Sequence, residues 1–287
     1  MREPEEPSWW TFGAFLQFDP TGERLLVAGR DLGASLWTKT GTCLRRWEEP
    51  LGHFFGVPFA WSPDGETIAW ATGSEVRFFD GRDGRSRGTQ LDCGDEVEDL
   101  AFRPDGAVLA TGHSEGRVRE WSRDDGGMLG ELAVDASDMI FPVSARCLAY
   151  APDGRRLACT TAAGMCAAVF DLESRAQVWG SGHSGGRMGE PAAVLWSPDG
   201  RRLWYAFASG VMALHTVAPA PGASMHVLAD GRAPSMSRPR ADGSALGATI
   251  LDGFAVAVLD PDAGTIRWIR VESTDGGAVD QAPTGHF

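Results

Sequence analysis

Between Val97 and Ala133 the chain changes its hydrophobic rhythm four times. Val97-Glu98-Asp99-Leu100-Ala101-Phe102 has the length and composition of a strand. Pro104-Asp105-Gly106 follows, where proline pre-sets φ and glycine completes a tight turn. Ala107 to Thr111 is a short apolar run without polar alternation, as in a strand buried on both faces. Gly112 to Gly116 predicts a second turn. Arg117-Val118-Arg119-Glu120-Trp121 alternates polar and apolar, which predicts a third strand. Asp124 to Gly127 turns again, and Met128 to Ala133 makes a fourth, more exposed strand.

This layout recurs. Prolines at the same turn stand at Pro20, Pro63, Pro104, Pro152 and Pro198, in steps of 43, 41, 48 and 46 residues. A worn sixth copy, Arg240-Ala241-Asp242-Gly243, falls 43 residues after the last proline. A bulky residue closes each predicted third strand: Trp37, Phe79, Trp121, Phe170, His215 and Leu259. Four short antiparallel strands per repeat of this length are the blade of a β-propeller, so the fold class is all-β.

Three units read Phe79-Asp80, Phe170-Asp171 and Leu259-Asp260 at the third strand's end, and Gly52-His53 and Gly182-His183 precede first strands. With these features the chain resembles the WD-repeat family, as a degenerate, bacterial-type member. Leu100–Trp121 and Phe59–Asp80 carry the likeness best. No Trp-Asp pair exists, so the family's His/Asp/Ser/Trp network is expected to be incomplete in every unit. Propellers of the prolyl-peptidase type also carry Ser-Pro-Asp-Gly turns, but Gly112 to Trp121 favours the WD type. Six turns predict six blades over residues 14–271, with seven as the alternative. Residues 1–13 and 272–287 are read as an N-terminal segment and a C-terminal tail that help close the ring. An incomplete ring whose edge pairs with another chain is the other arrangement.

Charge narrows the partners. The formal net charge is −13, Lys39 is the only lysine, and the arginines are scattered among acids. No nucleic acid or anionic membrane is expected to bind; a protein with a basic surface is. The acidic start Met1 to Pro7 is unlike a signal peptide, and no window approaches ~18 apolar residues. Five cysteines without a CxxC pair read as free thiols in a reduced, cytoplasmic compartment. Arg-over-Lys and Ala/Gly usage suits a GC-rich bacterial genome.

Candidate chemistry is sparse. The six histidines form no HxH or HExxH arrangement, and no GxSxG elbow or GxxxxGKS run exists. No catalytic residue, metal or cofactor is expected. Asp80 to Gly84 and Asp124 to Gly127 read as hairpin turns, not calcium loops.

What remains is a binding face, formed by loops entering each first strand and loops joining second to third strands. Trp9, Trp10, Phe54, Phe55, Met139, Phe141, Arg187 and Met188 fall in the former, the types enriched at interfaces. Arg30 and His113 fall in the latter. Trp61, Trp70, Trp196 and Trp204 fall within strands and are expected to pack between blades. The resemblance implies a non-catalytic scaffold, one subunit of a cytoplasmic complex. Two alternatives are a ligand-binding or enzymatic propeller using a channel lined by Glu96, Glu98 and Asp99, and a regulatory or sensor propeller.

Overall fold

A computed structural model describes residues 15–29, 33–47, 58–135, 143–162, 167–180, 191–197, 199–207, 212–216, 226–227, 238–239, 245–249, 255–260, 265–270 and 280–281. Among them, consecutive strands build six antiparallel sheets in chain order. The first holds β1 (Phe15–Phe18), β2 (Arg24–Gly29), β3 (Gly33–Thr38) and β4 (Cys43–Trp47). The second holds β5 (Phe59–Trp61), β6 (Thr67–Thr72), β7 (Glu75–Asp80) and β8 (Ser86–Asp92). The third holds β9 (Val97–Phe102), β10 (Val108–His113), β11 (Arg117–Ser122) and β12 (Met128–Ala133). The fourth holds β13 (Ser144–Tyr150), β14 (Arg156–Ala162), β15 (Ala167–Asp171) and β16 (Ala176–Gly180). The fifth holds β17 (Pro191–Trp196), β18 (Arg202–Phe207), β19 (Met212–Thr216) and β20 (His226–Val227). The last holds β21 (Arg238–Pro239), β22 (Ala245–Thr249), β23 (Ala255–Asp260), β24 (Thr265–Arg270) and β25 (Asp280–Gln281). First strands of successive sheets touch, β5 to β9 to β13 to β17 to β21, so they gather around the axis. The fold is a β-propeller of antiparallel blades.

The recurrent turn is the same object five times. Gly22, Gly65, Gly106, Gly154 and Gly200 each donate N–H to the carbonyl three residues back, at 2.8–2.9 Å. All five have φ between 67° and 72°, where a side chain would cost about 1–2 kcal/mol. The aspartate of the turn accepts the N–H two residues on, as Asp64 does from Glu66 (2.9 Å) and Asp105 from Ala107 (2.9 Å). These turns lie between first and second strands, as the spacing predicts.

Successive turns lean on one another. A Cβ built on Gly65 would lie 3.6 Å from Pro20 Cδ. On Gly106, Gly154 and Gly200 it would lie 3.7 Å from Pro63, Pro104 and Pro152 respectively. Each glycine therefore rests on the proline of the blade before it. A second joint repeats farther out. Gly84 sits under Arg45 and Trp47 of β4, and Gly126 under Leu91 of β8. In the fourth blade the left-handed residue at this place is Arg175 (φ 55°), and β12 answers with Gly130, whose built Cβ would meet the Arg175 guanidinium at 2.3 Å.

Between these joints lie the apolar faces. One cluster joins Leu26, Ala28 and Leu36 to Phe59, Trp61, Ile68 and Trp70. Others join Ala60, Ala69 and Phe78 to Leu100, Leu109 and Trp121, then Ala101 and Val118 to Leu148, Leu157 and Phe170. Trp61, Trp70 and Trp196 are buried between blades, as expected, while the Trp204 side chain lies outside the described residues. Trp47 meets Trp70 and Phe79 edge-on, with ring centroids 5.6 and 5.4 Å apart. Two strand boundaries differ from the sequence reading. β10 runs on through Gly112 and His113, because the His113 side chain is buried. The short turn is only Ser114–Gly116. No helix among the described residues is long and apolar enough to cross a membrane.

Asp64 tests the turns by pH. Burial pushes its carboxyl up, but the Ser62 hydroxyl, the Glu66 N–H and Arg123 outweigh that and hold it at about 2, against an ordinary 3.8. A depressed folded value stabilises above the unfolded value and is lost as pH falls through the folded one. Urea unfolding should therefore show wild type losing stability relative to Asp64→Asn between about pH 4 and pH 2, with no divergence above about pH 5. Gly81→Ala is a second check. Its Cβ would lie 2.2 Å from the Gly65 carbonyl oxygen. It should cost about 1–3 kcal/mol by urea titration.

Candidate partner-binding face

In a four-stranded meander the turns after first and third strands share one end. Loops after the second strand, and from the fourth into the next blade, share the other. The described parts of that second end centre on the second and third blades: Gly73-Ser74, Cys93 to Glu96, Ser114 to Gly116, and Val134-Asp135.

Arg119, on β11, organises this end. Its Nη1 donates to Cys93 O at 2.5 Å, Nη2 to Asp95 Oδ2 at 2.9 Å, and Nε to Glu131 Oε2 at 2.8 Å. Its side chain is only 11% exposed, so one guanidinium pins the loop into β9 against the outer strand β12. Glu115 adopts φ 60°, and its carboxylate accepts from Arg117 at 2.9 Å. Gly116 follows with φ 68°, and a Cβ there would meet Val143 at 2.9 Å and Val134 at 3.1 Å. Val134 N donates to Gly116 O at 2.9 Å. Both ends of the long connection between the third and fourth blades are thus seated on Gly116.

His113 is fully buried, not a surface contact. Trp121 Nε1 donates to Thr111 Oγ1 at 2.9 Å, and Thr111 Oγ1 lies 2.7 Å from His113 Nε2. His113 Nδ1 lies 3.1 Å from Glu96 O, which can only accept. Nδ1 therefore carries the ring proton and Nε2 accepts from the Thr111 hydroxyl. Burial, with the Arg119 charge nearby, pushes the imidazole pKa down and keeps the ring neutral. The third blade so holds a Trp–Thr–His relay that ends on a backbone carbonyl. The sequence reading expected a network incomplete in every unit; this one lacks the carboxylate but is continuous over three side chains.

The acids near the axis are taken up by the joint between the third and fourth blades. Glu98 pairs with Arg146 of β13 at 3.3 Å, and Asp99 accepts from Leu148 N at 2.6 Å. A bulge between Arg146 and Ala149, with Cys147 at φ 48°, brings that N–H inward. Gly112 lets the strands close up, since a Cβ there would lie 2.4 Å from Ala145 O. Farther out, buried Glu120 accepts from Tyr150 Oη at 2.8 Å and pairs with Arg175 at 3.2 Å. Burial first, and then the Glu120 charge, push the Tyr150 phenol well above its ordinary value. The channel alternative loses Glu98 and Asp99 to structure; Glu96, the third acid named, lies in the loop just before β9.

The remaining candidates, Trp9, Trp10, Arg30, Phe54, Phe55, Met139, Phe141, Arg187 and Met188, lie outside the described residues, as do Gly52-His53 and Gly182-His183. Sequence reasoning missed Arg119, Asp95 and Glu131. They stand far apart in the chain, and only the pairing of β9, β10, β11 and β12 brings them together. Both suspected calcium-like runs are turns: Asp80 accepts from Arg82 N at 2.8 Å, and Asp125 from Gly127 N at 3.0 Å. Burial pushes the Cys93 thiol up to about 12, so it offers no thiolate at neutral pH.

Known proteins agree with this geometry. The family model "WD domain, G-beta repeat" matches residues 86–122, from β8 through β11. "Cross-pathway control WD-repeat protein 2" of Flammulina velutipes is 28% identical over 127 residues, covering 42% of this chain. The chain spans only 38% of that relative's length. Among solved structures, the β-propeller domain of Myceliophteria thermophila Cps50 (Swd1) is similar with TM-score 0.68 at 16% identity. That likeness covers 90% of this chain and 86% of the other. Residues 86–122 thus match a WD-type repeat, and the chain shares the propeller fold of the Cps50 domain.

Two substitutions test this end. Thr111→Val should cost about 1–3 kcal/mol in urea unfolding, since Trp121 Nε1 and His113 Nε2 both lose their bond while buried. Tyr150→Phe should cost a similar amount, roughly 1–3 kcal/mol, by leaving the buried Glu120 carboxylate one donor short.

Proposed function

We propose that this chain is a non-catalytic protein-interaction platform, a subunit of a cytoplasmic complex whose partner presents a basic segment. The observation that carries the reading is how the titratable groups are used. Arg119, Glu98, Asp99 and His113 are consumed in holding loops and blades, which makes the loop end stiff. Around them stand the carboxylates of Glu75, Asp92, Asp95, Glu96 and Glu115. The cations beside them, Arg77, Arg117 and Arg119, pair with Glu75, Glu115 and Asp95, so the acids outnumber the cations five to three. A rigid, acidic rim attracts a cationic segment and aligns it at little conformational cost.

The WD-type repeat and the propeller fold support a scaffold role by analogy. Wide use of arginine over lysine supports a GC-rich, bacterial-type source, while the matched relative is fungal. Loop residues Trp9, Trp10, Phe54, Phe55, Met139, Phe141, Arg30, Arg187 and Met188 belong to this proposal as apolar and cationic anchors, on the strength of the sequence alone. Strand addition is a second mode, favoured by β12. There Met128 and Leu129 are exposed on an outer strand with a single charge, Glu131.

Affinity capture from source cells tests the reading. The wild-type chain should retain one stoichiometric partner at low salt and release it at high salt. The double variant Glu75→Arg/Glu115→Arg, folded by circular dichroism, should lose about tenfold or more in affinity. Equal capture by wild type and double variant would count against the platform.

A further inference from the structure

The loop that enters the innermost strand of the third blade, residues 93–96, carries two of the rim carboxylates, Asp95 and Glu96. Its two ends are fixed on the second blade: Cys93 N donates to Ser74 O at 2.8 Å, and Val97 N to Gly73 O at 2.9 Å. Arg119 clamps it through Cys93 O and Asp95. His113 holds it from the side of β10, since Nδ1–H donates to Glu96 O at 3.1 Å. Only this last tie depends on a side chain that ordinarily titrates near neutrality.

The ring is fully buried, and both its nitrogens are committed. Nδ1 donates to the loop, and Nε2 accepts from the Thr111 hydroxyl, which in turn accepts from Trp121 Nε1. A second ring proton would sit on Nε2 and point at a hydroxyl that already donates there, so Thr111 would have to turn its own proton away. The new charge would also stand near the Arg119 guanidinium, which clamps the same loop, with Asp95 as the opposing attraction. Other charges on the elements packed against β10 are engaged elsewhere. Glu98 pairs with Arg146 of β13, Asp99 takes Leu148 N, Arg117 pairs with Glu115, and Glu131 with Arg119. The seated loop therefore requires the neutral ring.

We propose that His113 is an acid-sensitive latch: proton uptake by its ring releases the loop of residues 93–96 and so reshapes the acidic rim. Lifting the loop uncovers the ring, which then titrates at its ordinary value of 6.5; in the seated loop, burial and Arg119 hold it lower. The seated loop keeps its full stability above that ordinary value and loses it as pH falls toward the seated one. Within this window the open fraction rises about tenfold per pH unit. A basic segment held at Asp95 and Glu96 is let go as the medium acidifies. The latch rests on the loop's own geometry, and only its effect on a partner rests on the acidic-rim reading.

Hydrogen exchange of the full chain without a partner, read by mass spectrometry, tests the latch. After correction for the intrinsic pH dependence of exchange, the peptide holding residues 93–97 should lose about tenfold in protection between about pH 6.5 and about pH 5.5. The peptide holding β14 should keep its protection over the same range, which separates a local opening from unfolding. His113→Gln retains a donor and an acceptor but no titrating ring, so its loop should be equally protected at both pH values. Nitrogen NMR of the wild-type imidazole at neutral pH should show the Nδ1–H tautomer. Constant protection of the wild-type loop would overturn the proposal, as would an equal loss in β14, an equal loss in His113→Gln, or the Nε2–H tautomer. Because no partner is present, failure of the latch reads out separately from failure of the acidic rim, which the Glu75→Arg/Glu115→Arg variant reports.

Discussion

Everything in this propeller hangs on the contact between a proline ring in one turn and a left-handed glycine in the next. The glycine provides a φ near 70° that a side chain resists. A Cβ there would meet the proline at ordinary van der Waals distance, so it is the backbone angle that calls for glycine. The proline fixes the turn that places its own blade's second strand. Because the contact recurs at each described boundary from the first blade to the fifth, the angle between blades is set near the axis, where small errors would fan out widely at the rim. The apolar clusters then fill a space whose shape the turns have already defined.

Charge works within that frame as cross-bracing. Arg123 reaches from the third blade to Asp64 (3.1 Å) and Thr67 (2.7 Å) of the second. Arg156 reaches from the fourth to Gly200 O of the fifth at 2.9 Å. Arginine suits this task because its planar fork donates along several directions while its face stacks on an aromatic ring. Lysine could not do both, and the chain contains just one. An acidic protein thereby spends much of its positive charge on its own joints, and at the loop end acids outnumber the arginines that pair with them.

The turns and their strands were legible because their signal is local: Pro104, Asp105 and Gly106 are consecutive, and their geometry depends on nothing distant. The burial of Trp61, Trp70 and Trp196 was legible from their place within strands. His113 was not. Beside Ser114 and Glu115 it reads as part of a polar loop, and only a bulge opposite Val97 turns its ring inward toward Thr111. The Arg119 clamp was hidden for another reason. Alternation in Arg117 to Trp121 tells which side chains share a face, but not which loop from the preceding strand will arrive there. Glu98 and Asp99 looked like channel acids because the sequence places them on the innermost strand. It says nothing of the bulge at Cys147 that consumes Asp99. The apolar and arginine loop candidates stand outside the described residues, and the sequence remains their only witness.

The joints also have a sense of rotation. Each reads from proline to glycine in the order of the chain, so the surface that gives and the surface that receives are different surfaces. Turning a blade over would bring proline to proline and glycine to glycine, so blades of this type stack around the axis in one sense only.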